Sequence, residues 1–376
     1  MEMNLADMLS YADIHDLGRI AHTYNCECNG HSKNELIQSI LNTALRREIF
    51  QKQIENLNLE DIRFLNSLLF DPRNAFSIEE LTARVRQARF QQEDKSDWNP
   101  REMIIKFKQL GWLFNGYSQQ TKYLFHVPQD LKNRFSDVLT SQFKQALKLT
   151  DEPNVYRDEQ MLIVEDIFHF LTYISHHDEI PLTADGAMYK RQLQQIIDRL
   201  SVQEEMVPRG VWRFGYGRMF KEYPNRFSFI YDYCYYHQYI REQAQTLHLT
   251  EEGKTRLLER KKENLADVYR FWLRLYKNPI PNVQSIAQWI ERLGGNWVTA
   301  GSLGGVLCQL VKPFYYDTSE SIVEQRILQM MMHLGLIRIG EDQEEGSVIQ
   351  VTKLGKKVIQ GTFVAEEDKI ELYAEQ

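Results

Sequence analysis

Four cysteines in 376 residues are too few and too scattered for a disulfide framework. Cys26 and Cys28 are near neighbours, Cys234 and Cys308 are remote, and reduced thiols in a cytoplasmic protein are expected. No stretch approaches 18 consecutive apolar residues, so no membrane-spanning helix is expected. Residues 1–9 carry Glu2 and Asp7, where a signal peptide would be basic and then apolar. A basic excess is also missing. Forty-five Lys and Arg against 52 Asp and Glu leave a net charge of −7. That balance argues against nucleic-acid binding through overall charge and confines any such binding to local patches. There is no G-x-S-x-G elbow and no paired acid cluster, so no enzyme is indicated.

What is present is a folded composition, 43% hydrophobic and 26% charged, with aromatics raised to 12% and bunched. Residues 1–55 read as a two-helix module. One helix is expected over 5–24, with Leu9, Ile14, Leu17, Ile20 and Ala21 on one face. A second starts at Ser32, where Glu35 would complete a capping box.

Residues 56–150 show a helix over 59–70 stopped by Asp71-Pro72, then a helix capped by Ser77 with Glu80 three residues on. A polar linker over 91–97 and a helix opened by Asn99-Pro100 and closed at Gly111 follow. Trp112-Leu113-Phe114, a turn at Asn115-Gly116 and Lys122-Tyr123-Leu124-Phe125 make a hairpin. Three helices and a hairpin are the winged-helix order.

Residues 151–262 open on an apolar helix over 159–175. The stretch 180–200, IPLTADGAMYKRQLQQIIDRL, then offers Pro181, a Thr183 cap and the apolar series Met188, Leu193, Ile196, Ile197 and Leu200. It predicts a helix with Lys190 and Arg191 near its start, where a recognition helix would carry them. The tyrosine-rich stretch 227–240 is expected to pack mainly in the core. Residues 263–376 read as a further winged helix: helices over 268–276, 283–293, 303–310 and 322–334, a hairpin around EDQEEGS, and an acidic tail from Glu366 that is expected to fray. Leu249-Thr250-Glu251-Glu252-Gly253 echoes Val351-Thr352-Lys353-Leu354-Gly355, as if one unit recurred. The expected fold is mainly α with small β wings: tandem winged-helix units after a two-helix module.

The strongest nucleic-acid candidate is the insert 208–227. It sets Arg209, Arg213, Arg218, Lys221 and Arg226 against the single acid Glu222, with Trp212, Phe214, Tyr216, Phe220 and Tyr223 between them. Arginine and lysine bind phosphate, and aromatic faces stack on unpaired bases. Lys190 and Arg191 make a second candidate, and Arg101, Lys106 and Lys108 a third. His22, Cys26, Cys28 and His31 are zinc-type ligands within ten residues. Their C-x-C spacing is tighter than zinc sites use, so loop residues and no metal are expected. His176-His177-Asp178-Glu179 ends a helix, where histidine suits the dipole, and reads as structural. Gly253-Lys254-Thr255 imitates a phosphate-binding loop, but the position of its first glycine holds His248. ATP hydrolysis is not expected, and no cofactor is implied.

Two resemblances bear on function. L-x-x-I-A-x-x-Y, a loop and S-K-x-E-L-I-x-x-I resemble the small helical modules of the SAP and Rho N-terminal type. This implies nucleic-acid contact through Lys33, with Arg46 and Arg47. Over roughly 57–361, the apolar helix, I-P-L-T-A-D-G-A-M-Y-K-R-Q-L, L-T-E-E-G-K and the later H-L-G-L-I and V-T-K-L-G are similar to the helicase-associated region before the motor of XPB-type DNA repair helicases. That resemblance implies a motorless tandem winged-helix protein engaged in DNA transactions. The expected function is therefore a non-enzymatic DNA-associated adaptor, binding single-stranded or forked DNA together with a helicase or nuclease partner. The alternative is an acidic winged-helix scaffold that binds only proteins, as condensin-type accessory subunits do.

Overall fold

The computed structural model describes residues 3–90, 98–177, 179–208, 210–365 and 367–371. The chain is mainly helical with small antiparallel sheets, and it divides into two compact units, Met1–Gln145 and Ala146–Gln376. The division falls close to the boundary expected at 150/151. Those expected at 55/56 and 262/263 fall inside the two units.

The first unit opens with four short helices: α1 (Leu5–Tyr11), α2 (Ile14–Thr23), α3 (Lys33–Ala44) and α4 (Arg47–Glu55). The single helix expected over 5–24 is broken. Ala12 is extended, and the Asp13 carboxylate accepts the Asp16 N–H at 2.8 Å, so a side chain restarts the helix where backbone could have continued it. Only half of the expected box at Ser32 forms. Ser32 Oγ accepts from Glu35 N, but the Glu35 carboxylate takes the Asn29 N–H instead.

A winged helix follows: α5 (Leu59–Leu69), β1 (Ala75–Phe76), α6 (Ile78–Ala88), α7 (Pro100–Gln109), β2 (Phe114–Asn115) and β3 (Phe125–His126), with strand order β1-β3-β2. The Ser77–Glu80 capping box and the Asn99-Pro100 start are as the sequence predicts, and the linker 91–97 lies outside the described residues. Its core joins Phe64, Phe107 and Trp112 to Phe50 of α4 and to Phe135 of α8 (Gln129–Gln145). The N-terminal helices are thus part of this body. Tyr24 Oη donates to the Leu110 carbonyl at the end of α7, and Tyr11 stacks on Tyr117 at 4.6 Å.

The second unit holds two more winged helices. After β4 (Tyr156–Arg157), one consists of α9 (Leu162–Ser175), β5 (Ile180–Pro181), α10 (Lys190–Ile197), α11 (Asn225–Tyr236), β6 (Ile240–Gln243) and β7 (Thr246–Leu249). After α12 (Glu251–Leu258) and α13 (Leu265–Tyr276) come α14 (Val283–Leu293), β8 (Val298–Thr299), α15 (Ala300–Leu307), α16 (Ser319–Ser321), a π-helical stretch Ile322–Leu328 and α17 (Gln329–His333). The hairpin β9 (Ile337–Asp342) and β10 (Gly346–Val351) and the helix α18 (Lys353–Gly361) complete it. The sheets run β5-β7-β6 and β4-β9-β10-β8. β4, which leads into the second winged helix, pairs with β9 of the third (Tyr156↔Gly340, Arg157↔Ile339), so the two share a sheet and form one body. The tail over 367–371 is described, with Ile370 donating to the Arg274 carbonyl. Glu366 and 372–376 lie outside the described residues.

Thr183 is not a helix cap. Its Oγ1 accepts the Ala187 N–H in a turn through left-handed Gly186, and α10 begins at Lys190 after Tyr189 with no side-chain cap.

The sequence echo is a structural repeat. Thr250 and Thr352 cap α12 and α18 by accepting the Gly253 and Gly355 N–H groups. Their hydroxyls donate back to the ends of the preceding helices, at Gln238 and Gly335. Both glycines let a helix lie directly on backbone. A Cβ would overlap the Tyr239 carbonyl oxygen at Gly253 and the Leu336 carbonyl oxygen at Gly355. Gly355→Ala is expected to cost about 1–3 kcal/mol, since backbone on both sides must shift. Urea unfolding would measure it, and an unchanged midpoint would show that the repeat has slack.

Candidate interaction surface

The third helix of a winged helix is the element that normally enters a DNA groove. In the second winged helix that element is α11, not the Lys190–Arg191 helix that the sequence suggested. The reason is topological: α10 follows β5 and α11 precedes the β6–β7 hairpin, so α10 is the second helix. Nine of the 12 residues of α11, Arg226 to Cys234, are buried. In the third winged helix, the corresponding segment exposes Glu320, Glu324 and Gln325. Its wing exposes Glu341, Gln343 and Glu344. Carboxylates there repel a phosphate backbone.

The insert between α10 and α11 uses most of its cations internally. Arg226 is 0% exposed, with Nε 3.0 Å from Glu159 Oε2 and Nη1 paired with Asp166 Oδ2 at 2.7 Å. It cannot reach a phosphate, because it is enclosed between two buried carboxylates. Burial pushes the Glu159 carboxyl up, but His333 at 3.0 Å, Arg226 and Arg157 pull it below its usual range. Arg218 forks onto both Glu242 oxygens at 2.9 and 3.0 Å and lies over the Tyr235 ring. Burial works against its charge, and the Glu242 pair more than offsets that. Arg213 donates to the Tyr223 carbonyl and to Asn225, and burial lowers its pKa. Tyr216 is buried against Tyr276 and Phe314, and burial raises its hydroxyl. Of these four, Arg226 and Tyr216 are buried, and Arg213 and Arg218 are half-buried and paired within the fold. Arg209 lies outside the described residues. Trp212 and Lys221 stay exposed, as do Lys190 and Arg191 on α10.

In the first unit, Lys106 neutralises the buried Asp61 carboxylate at 2.5 Å, and Lys108 lies 3.7 Å from Asp16 of α2. Both are thereby tied to the body. Arg101 and Lys33 are exposed and have no ion pair among the described residues. Arg101 lies in the first turn of α7, next to Glu102, and Lys33 begins α3, two residues before Glu35.

Among the described residues, no group of His, Cys, Asp and Glu is arranged to hold a metal ion; His22, Cys26, Cys28 and His31 are loop and helix-end residues. His177 is fixed by its own helix, with Nδ1 2.8 Å from the Tyr173 carbonyl oxygen and its ring on the Tyr173 ring. Asp178 of that group is outside the described residues. Gly253-Lys254-Thr255 is the first turn of α12 after an antiparallel hairpin, with Lys254 paired to Glu251. In the tyrosine-rich helix, Tyr231 and Tyr233 are buried, as is Tyr239 just beyond it, so packing absorbs them.

Sequence reasoning missed where the insert's aromatics lead. Trp212 and Phe214 meet Phe314, Tyr315 and Tyr316 from the loop after α15, with Trp212 4.9 Å from Tyr316 and Phe214 5.4 Å from it. The signal was Pro313-Phe314-Tyr315-Tyr316, a run of three aromatics in a loop, where burial in a core is not the default.

No protein-family model matches the chain, and no curated protein matches it.

Proposed function

We propose that the chain is a non-enzymatic winged-helix adaptor that binds protein partners and does not read DNA. This takes up the alternative reading of the sequence in place of the leading one. The observation that carries it is the fate of the three third helices: α11 is sealed into the core, that of the third winged helix presents glutamates, and α7 ties Lys106 and Lys108 to Asp61 and Asp16. The internal pairing of Arg213, Arg218 and Arg226 supports it further, because little free positive charge is left beside the exposed aromatics. Among the described residues no helix is long and apolar enough to cross a membrane.

The test is anisotropy with labelled single-stranded, duplex and forked DNA at about 50 and 200 mM salt. Phosphate contacts lose affinity steeply across that range, roughly 10³–10⁵-fold for six to ten of them. The expected result is no DNA binding at either salt, together with stoichiometric, nuclease-resistant recovery of a protein partner on the tagged full chain from its own cells. Tight binding at low salt that collapses at high salt would overturn the reading.

A further inference from the structure

The exposed rings of the second unit form one ledge. Trp212, Tyr315 and Tyr316 are 66%, 84% and 71% exposed, and Phe214 links them from below. The ledge is held in place. The Phe214 carbonyl accepts from Arg326 Nη2 at 2.6 Å, Arg326 is itself clamped by Asp317, and Phe314 packs on buried Tyr216. Rings fixed in advance lose little freedom when a ligand arrives. The Trp212 indole N–H and the Tyr315 and Tyr316 hydroxyls have no hydrogen-bond partner among the described residues. Lys221 in the insert and Lys312 beside the loop have no ion pair among them either. The carboxylate nearest in sequence to the tyrosines, Asp317, is consumed by Arg326.

We propose that this ledge docks a proline-rich segment with acidic flanks, supplied by a protein partner; the inference rests on the protein-binding reading above. The surface offers aromatic faces and N–H and O–H donors. Its match is a chain of apolar rings with free carbonyl acceptors and no N–H groups, which is polyproline II. Trp212 and Phe214 lie in nearly parallel planes with centroids 6.4 Å apart. That spacing is close to two residues of polyproline II at about 3.1 Å each. Lys221, near the Phe220 ring that meets Phe214, and Lys312, two residues before Phe314, complement carboxylates flanking the segment. An oligonucleotide fits less well, because the arginines that would hold successive phosphates are bound internally.

The test uses the full chain and a labelled proline-rich peptide flanked by aspartates. Parallel probes replace prolines with alanines, aspartates with lysines, or the peptide with oligothymidylate. The expected result is binding of the aspartate-flanked peptide alone, weakened at least tenfold in Trp212→Ala and in Tyr316→Ala. The exposure of both side chains keeps the melting temperature unchanged, which separates lost docking from lost folding. Lys312→Glu is expected to remove most of the preference for aspartate flanks. Failure of every probe to bind, or proline-peptide binding indifferent to Trp212, would overturn the docking proposal and leave the protein-binding reading to its own assay. Trp212-dependent binding of oligothymidylate would overturn both.

Discussion

Arg226→Ala is expected to destabilise the second unit by about 3–5 kcal/mol, the range for breaking a buried ion pair from one side. Arg226, Glu159 and Asp166 are all essentially inaccessible to water. Removing the guanidinium leaves two carboxylates where solvent cannot screen them. Their remaining partners are fixed: Asp166 accepts the Ser201 and Val202 N–H groups, and Glu159 meets His333 and Arg157. Arg157 still answers the Glu159 charge in part, but Asp166 is left with no guanidinium. Arg226→Lys keeps the charge but loses the fork that spans both acids, and an intermediate loss is expected. The triple replacement Glu159→Gln, Asp166→Asn, Arg226→Met is expected to recover most of the stability, since the cost lies in uncompensated charge. Urea unfolding of the four proteins measures this. A loss below about 1 kcal/mol for Arg226→Ala would show that water reaches the cluster.

The second large effect concerns pH. Asp232 is fully buried in α11, with Oδ2 accepting the Arg218 N–H at 3.0 Å and Oδ1 without a partner. Burial pushes its carboxyl up to about 7, while the Arg218 N–H and guanidinium pull the other way. The unfolded chain releases this proton near pH 4. Between about pH 4 and 7 the folded state therefore holds a proton that the unfolded state has lost. The stability tied to that proton is complete below pH 4 and is lost as pH rises through 7. Asp232→Asn mimics the protonated form. It is expected to match the parent near pH 4 and to exceed it at pH 8 by up to about 4 kcal/mol, the shift of roughly three pKa units at 1.36 kcal/mol each. Comparing urea midpoints of the two proteins across that range cancels every other titrating group. Parallel profiles would show that Asp232 is ionised in the folded protein.

The two effects meet at α11. Its sequence, NRFSFIYDYCYY, does not look like a core helix, because Arg226 and Asp232 interrupt the apolar run. Each is tolerated because another element supplies what water would have supplied. Glu159 and the α9 residue Asp166 answer Arg226, and the insert's backbone at Arg218 answers Asp232. Gly217 has to be glycine there, since it is left-handed and a Cβ would overlap Asp232 Oδ2. The helix that a DNA reader would expose is thereby committed to holding two winged helices together.

Element order was legible because it is written in local chemistry. Ser77 with Glu80, Asn99-Pro100, Thr250 with Gly253 and Thr352 with Gly355 are caps decided by residues within three positions of one another, and each forms. The break at Ala12 and Asp13 was legible in principle, since aspartate is a strong cap, but the apolar period ran across it. Helix α8 gave a weaker signal and passed unread, although Phe135 and Leu139 sit in the first unit's core.

The candidate site was not legible in the same way. By itself the sequence determined the winged-helix elements, their order and the bunching of arginine and aromatic residues at 208–227, because propensity, capping and period act within a few residues of one another. Which of those side chains face water was decided only by tertiary structure. Arg213, Arg218 and Arg226 turn inward because Asn225, Glu242, Glu159 and Asp166 come to meet them from up to 67 positions away along the chain. Trp212 stays outside because the loop carrying Tyr315 and Tyr316 joins its ledge without covering it. A charge is free or paired according to what stands opposite it in space, and the spacing of residues along the chain does not carry that information.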